Sequence, residues 1–128
     1  MTPMDNRLSF LGLMYRAGSL AIGADKSYDA ARRGKIKLLM LASDAAKNTV
    51  SGAKNALREK DVPLVTLPYT KAELGDALGK GECSALAILD FGFAISFCER
   101  MGFAPESETL RRKSGISAKS KADRGNNE

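Results

Sequence analysis

Ile36-Lys37-Leu38-Leu39-Met40-Leu41-Ala42 is apolar at every position but Lys37, with no alternation between apolar and polar residues. A strand with one face in water alternates, whereas one covered on both faces does not. The run therefore predicts a strand buried between two layers of other structure. Upstream, Gly23 to Arg33 reads as a helix with Tyr28 and Ala31 inward, Arg32 and Arg33 in its last turn and Gly34 as its stop. Downstream, Ser43 or Asp44 can cap a helix whose Val50, Ala53 and Leu57 recur at helical spacing until Lys60 and Asp61.

The same grammar extends in both directions. Val62 to Leu67 is a second apolar run, bounded by Pro63 and Pro68. Thr70 and Glu73 have the spacing of a capping box and open a helix that runs to Leu78 and ends at Gly79. Ala85 to Leu89 is a third run, and Phe91 to Met101, with Phe93 and Phe97 one turn apart, is a closing helix stopped by Gly102. Towards the amino terminus, Asp5 to Ala17 places Leu8, Leu11 and Tyr15 on one helical stripe, Gly18 ends it, and Leu20 to Ile22 is a very short strand. Helices alternating with covered strands predict an α/β fold, a three-layer α-β-α sandwich around a small mixed sheet of about four strands. No repeat period points to a solenoid.

The chain has 128 residues, 44% hydrophobic and 27% charged, enough for one core without disulfide or metal. No apolar run is long enough to cross a bilayer and no signal-peptide pattern opens the sequence, so a cytoplasmic protein with no membrane partner is expected. Cys83 and Cys98 form no paired motif and read as reduced thiols. Histidine is absent, which removes Ser-His-Asp and Cys-His catalysis and imidazole metal sites. No metal, no cofactor and no enzymatic activity are expected. The net charge of +5 favours a polyanionic partner. From Pro105 onward Leu110 and Ile116 are the only large apolar residues, so residues 1–104 are expected to form the domain and 105–128 a disordered basic tail.

Candidate sites are few. Gly79-Lys80-Gly81 is the nearest approach to a phosphate loop, but it follows a helix and precedes a strand, the reverse of the required order. Asp90 after the last run fits a helix cap better than a lone catalytic carboxylate. Cys83, in an expected exposed loop, lacks a base to activate it. At Gly23-Ala24-Asp25-Lys26-Ser27-Tyr28-Asp29, a helix amino end offers free backbone donors and a positive dipole end; Gly23 permits close approach, Asp25 can accept from guanine and Lys26 can meet a phosphate. The plainer reading of these residues, and the one they favour by themselves, is that Asp25 or Ser27 caps the helix and Lys26 is solvated.

Several motifs in order resemble a small bacterial member of the L-seven-Ae / L-thirty-e / Gadd ribosomal-protein superfamily. They are Leu11-Gly12-Leu13 with Ala17-Gly18, Gly23 eleven residues before Gly34, the run from Lys37 through Ala42-Ser43-Asp44-Ala45, and Asn48-Thr49. Val62-Pro63, Thr70-Lys71-Ala72-Glu73-Leu74-Gly75, Leu78-Gly79-Lys80 and Ala87-Ile88-Leu89-Asp90-Phe91-Gly92-Phe93-Ala94 continue the series. The resemblance implies an α-β-α sandwich that binds kink-turn RNA through a G-x-N-E-x-x-K sequence opening the second helix, with a loop before the last strand covering a flipped nucleotide. It maps Gly23 onto the motif glycine, with Ala24 next to it, and Gly81, Glu82, Cys83 and Ser84 onto the loop. Asp25 stands where Asn is implied, Lys26 where Glu is and Asp29 where Lys is. Lysine only donates, so the favoured base edge changes. Lys47 and Lys71, together with Lys26, are candidate phosphate contacts. The expectation is a non-enzymatic RNA-binding protein, ribosomal or ribosome-associated, that recognises structured, kink-turn-like RNA, contacts ribosomal proteins and is monomeric when free. The alternative is a protein-interaction module on the same fold.

Overall fold

All four residues of strand β2, Leu38–Leu41, are buried, as a strand covered on both faces requires. In the computed structural model, which describes residues 6–115, β2 lies inside a four-stranded sheet ordered β1-β4-β2-β3. The elements are α1 Asn6–Arg16, β1 Leu20–Ile22, α2 Ala24–Arg32, β2 Leu38–Leu41, α3 Lys47–Ala56, β3 Leu64–Thr66, α4 Lys71–Leu78, β4 Ala85–Ile88, α5 Phe91–Met101 and α6 Ala104–Ser114. β3 pairs parallel to β2, while β4 runs antiparallel to both of its neighbours, so the sheet is mixed.

Residue parity along the central strands divides the core in two. Leu38 and Met40 of β2, with Leu86 and Ile88 of β4, meet Phe10, Leu11 and Met14 of α1, Leu74 of α4, Phe97 of α5 and Leu110 of α6. Their alternates Leu39, Leu41, Ala85 and Ala87 meet Tyr28 and Ala31 of α2 and Ala53, Ala56 and Leu57 at α3. Side chains along a strand point to opposite faces in turn, so an unbroken apolar run serves both layers at once. The α2–α3 layer is rich in alanine, which lets two short helices lie close to the sheet. The three-layer α-β-α sandwich expected from the sequence is the observed architecture.

Three local expectations are corrected. Tyr15 does not lie on the buried stripe of α1: Phe10, Leu11 and Met14 do, and Tyr15 is exposed. Neither Ser43 nor Asp44 caps α3, whose N-cap is Ala46 with no side-chain hydrogen bond. Asp44 Oδ1 instead accepts from the backbone N–H of Lys71, 2.8 Å away, tying the approach to α3 to the start of α4. The proposed tail from Pro105 is ordered through Ser114 as α6, and residues 116–128, including Ile116, lie outside the described residues. Leu110 is fully buried against the α5 layer, and Arg111 pairs with Glu99 of α5. One well-placed leucine and an ion pair anchor a helix whose composition is otherwise polar. The Thr70–Glu73 capping box and the Asp90 cap on Phe93 N–H are both formed as expected.

Candidate nucleic-acid interface

Because β1, β2 and β3 run in one direction and each is followed by a helix, the amino ends of α2, α3 and α4 all face the same end of the sheet. The loop that enters β4 sits among them. Each helix amino end carries partial positive charge. Those of α2 and α3 have no side-chain cap and keep unpaired N–H groups open to anions, whereas the α4 end is capped by Thr70 and Glu73 and its Lys71 N–H is held by Asp44.

Gly23 makes the turn from β1 into α2 at φ 99°, ψ 156°. It is the N-cap, no side chain caps the helix, and the first intrahelical bond is Ser27 N–H to Gly23 C=O at 3.0 Å. The N–H groups of Ala24, Asp25 and Lys26 precede that bond. This overturns the plainer expectation that Asp25 or Ser27 caps the helix; buried Ser27 turns its hydroxyl to Ala21 C=O at 3.4 Å. The Gly23 amide itself is occupied, donating to Ala85 C=O at 2.9 Å. Asp25 and Lys26 are exposed on the first turn, and Lys26 makes no ion pair among the described residues. Asp29 lies a turn further on, its carboxylate held by Arg33 at 3.2 Å.

The loop Gly81–Ser84 is fixed from several sides. Cys83 N–H donates to Lys71 C=O at 3.0 Å, and Ala42 N–H donates to Ser84 C=O at 2.9 Å. Lys71 Nζ lies 3.9 Å from Glu82 Oε1. Gly75 lets the loop approach α4, since a Cβ there would stand 1.9 Å from Gly81 C=O. Cys83 is not exposed as expected: it is 1% exposed, its Sγ lies 3.4 Å from Ala85 C=O, and burial pushes its thiol pKa up, opposed by backbone hydrogen bonds at Gly23 and Ala85. Cys83 is thus buried between the loop and the Gly23 turn.

The fold thus brings together Gly23, Ala24, Asp25, Lys26, Lys71 and Gly81 to Ser84. Lys47 opens α3 at the same end of the sheet, exposed and without an ion pair among the described residues. Sequence reasoning missed Tyr15 and Lys80. They line a groove of about 280 Å³ with Gly23, Lys26 and Glu82, and Lys80 Nζ stands 4.9 Å from the Tyr15 ring centre. A hydrogen bond to Lys80, then the Lys80 charge, holds the Tyr15 phenol below its ordinary pKa. Among the described residues no three His, Cys, Asp or Glu side chains gather as a metal site would need.

Residues 8–97 match the ribosomal protein L7Ae/L30e/S12e/Gadd45 family. The chain belongs to that family. The match spans α1 through most of α5 and leaves α6 outside it. Within the L7Ae/L30e/S12e/Gadd45 family, the chain is 37% identical to the large ribosomal subunit protein eL30 of Methanosarcina mazei over 60% of its own length and 72% of the relative's. It is 32% identical to the RNA-binding protein YlxQ of Enterococcus faecium, over 68% of this chain and 82% of that protein. A Bacillus halodurans protein of unknown function superposes with a TM-score of 0.69 at 27% identity, covering 77% of this chain and 99% of that one. The Giardia lamblia 15.5kD RNA binding protein shares the fold, with a TM-score of 0.58 at 19% identity over 88% of this chain and 92% of its own.

Proposed function

We propose that this protein binds structured RNA, ribosomal or ribosome-associated, in the cytoplasm, through the end of the sheet where α2, α3 and α4 begin. The observation that carries the reading is the side-chain-free cap at Gly23, which leaves the first N–H groups of α2 open beside Lys26 and the Gly81–Ser84 loop. The names of the eL30 and YlxQ relatives support RNA as the partner. Phosphates meet the helix amides and Lys26, Lys47 and Lys71, which supplies affinity without reading sequence. A bent strand with an extruded base fits between α2 and the loop, which supplies selectivity.

Asp25, Lys26 and Asp29 set how this chain reads a kink. Asp25 can only accept and Lys26 can only donate, the reverse of an Asn-Glu pair's emphasis, and Asp29 is engaged by Arg33 rather than presented as a cation. The base edges favoured at the kink therefore differ from those an Asn-Glu pair selects, while shape selection remains. Titrating a kink-turn RNA and a straight duplex at about 50 and about 200 mM salt tests this. Tighter binding to the kink-turn at both salts is expected. Equal binding to the two removes shape selection, and no binding to either removes RNA as the partner.

A further inference from the structure

Tyr15 and Leu13 are the large apolar side chains left exposed among the described residues, at 41% and 47%. The core does not need Tyr15, because Phe10, Leu11 and Met14 already fill the inward face of α1. Its ring instead lines a groove along β1, an edge strand, together with Ile22 and Gly23. Lys80 stands over the ring, and Lys26 is near enough to act on the phenol's charge. Neither lysine has an acidic partner among the described residues, and Glu82, the groove's one acidic lining residue, is held by Lys71.

A part-exposed aromatic ring with one ammonium over it and a second nearby, neither paired with a carboxylate among the described residues, has the chemistry of a single-stranded nucleic-acid site, in which bases stack and the backbone meets cations. An acidic peptide would use the lysines and leave the ring idle; an apolar segment would use the ring and strand both lysines. We infer that this groove binds a single-stranded stretch of RNA, with one unpaired base stacked on Tyr15 and its flanking phosphates on Lys80 and Lys26. The inference rests on the RNA reading above for its polymer, and Gly23 and Lys26 make the groove continuous with that interface. It adds a second element, since stacking on α1 needs no kink.

The probe is a six-nucleotide oligoadenylate. The chain has three tyrosines and no tryptophan, and Tyr28 and Tyr69 are buried, so of the three emitting rings Tyr15 is the one a stacking base can reach and quench. The oligonucleotide is expected to quench that emission in the natural protein, and the quench is expected to vanish in Tyr15→Phe. Tyr15→Ala should weaken binding about tenfold, with Tyr15→Phe recovering most of the loss. Lys80→Ala should lower the salt slope by about 0.7. An abasic chain of equal length should bind the natural protein no tighter than oligoadenylate binds Tyr15→Ala. Equal affinity of Tyr15→Ala, or of the abasic chain, overturns the inference. Kink-turn preference with no Tyr15 quench overturns it alone; quenching with no kink-turn preference overturns the kink reading alone; binding to none of these RNAs overturns both.

Discussion

Gly23 occupies backbone space that essentially only glycine enters, with φ 99° and ψ 156°. A Cβ there would meet nothing within 4 Å, so the cost of Gly23→Ala is conformational, about 1–3 kcal/mol. It should appear as a lower denaturant midpoint with an unchanged m-value. Because relaxing the turn also swings the first amides of α2, RNA affinity should fall by more than the stability loss alone would cause; loss of stability with unchanged affinity would separate the glycine from the interface. Cys98 gives a pH signature of the core. Burial, with the Glu106 and Glu99 carboxylates adding to it, pushes its thiol up to about 12 from an ordinary 9.0. Below pH 9 both folded and unfolded chains keep the proton, so this group contributes no slope. Between about 9 and about 12 only the unfolded chain releases it, and stability falls as pH rises, by at most about 1.4 kcal/mol per pH unit. Comparing urea midpoints of the natural protein and Cys98→Ala from pH 8 upward should show the two curves converging, and parallel curves would refute the buried-thiol account.

At the scale of elements, α6 shows both what a sequence states and how it is misread. Pro105 in the first turn, Glu106 beside it, Arg111, Arg112 and Lys113 in the last turn and Gly115 in the left-handed cap position are ordinary helix signals. The scarcity of apolar residues from Pro105 onward points the other way, yet a single leucine, Leu110, is buried and docks the helix. Replacing Leu110 with Ala should cost about 2–5 kcal/mol, measured by equilibrium unfolding, and a loss below about 0.5 kcal/mol would show α6 to be peripheral. The strands and most helix ends were legible because covered strands and glycine stops are local features: α5 ends where Met101 meets Gly102, and β4 opens at Ala85. Asp44 was not. Its partner, the Lys71 N–H, is 27 positions away, and nothing local distinguishes that contact from a cap on the next helix. Tyr15 was misplaced for a related reason, since its spacing from Leu11 suits the buried stripe as well as Met14's does, and only the docking angle of α1 on the sheet decides between them. Of the candidate site, the meeting of Gly23 with the Cys83 loop came from the resemblance, whereas the burial of Cys83 depends on how closely Gly75 admits Gly81.

For the whole molecule, the decisive quantity is where charge is concentrated. A net +5 spread evenly would attract any polyanion weakly. The parallel course of β1, β2 and β3 instead aims three helix amino ends at one end of the sheet, where Lys26, Lys47 and Lys71 stand among Asp25, Asp44, Glu73 and Glu82. Each lysine that meets a phosphate releases counterions, so its removal should flatten the dependence of log affinity on log salt by about 0.7–0.9. If each lysine meets its own phosphate, the triple alanine variant should lose close to the sum of the three. Lys35, exposed between α2 and β2 at the opposite end of the sheet, is the matched control and should leave the slope unchanged. Lys71 should show the smallest change of the three, because Glu82 already neutralises part of its charge at 3.9 Å. If Lys35→Ala flattens the slope as much as Lys26→Ala does, the attraction is that of a generally basic surface, and the alignment of the helix ends has no part in it.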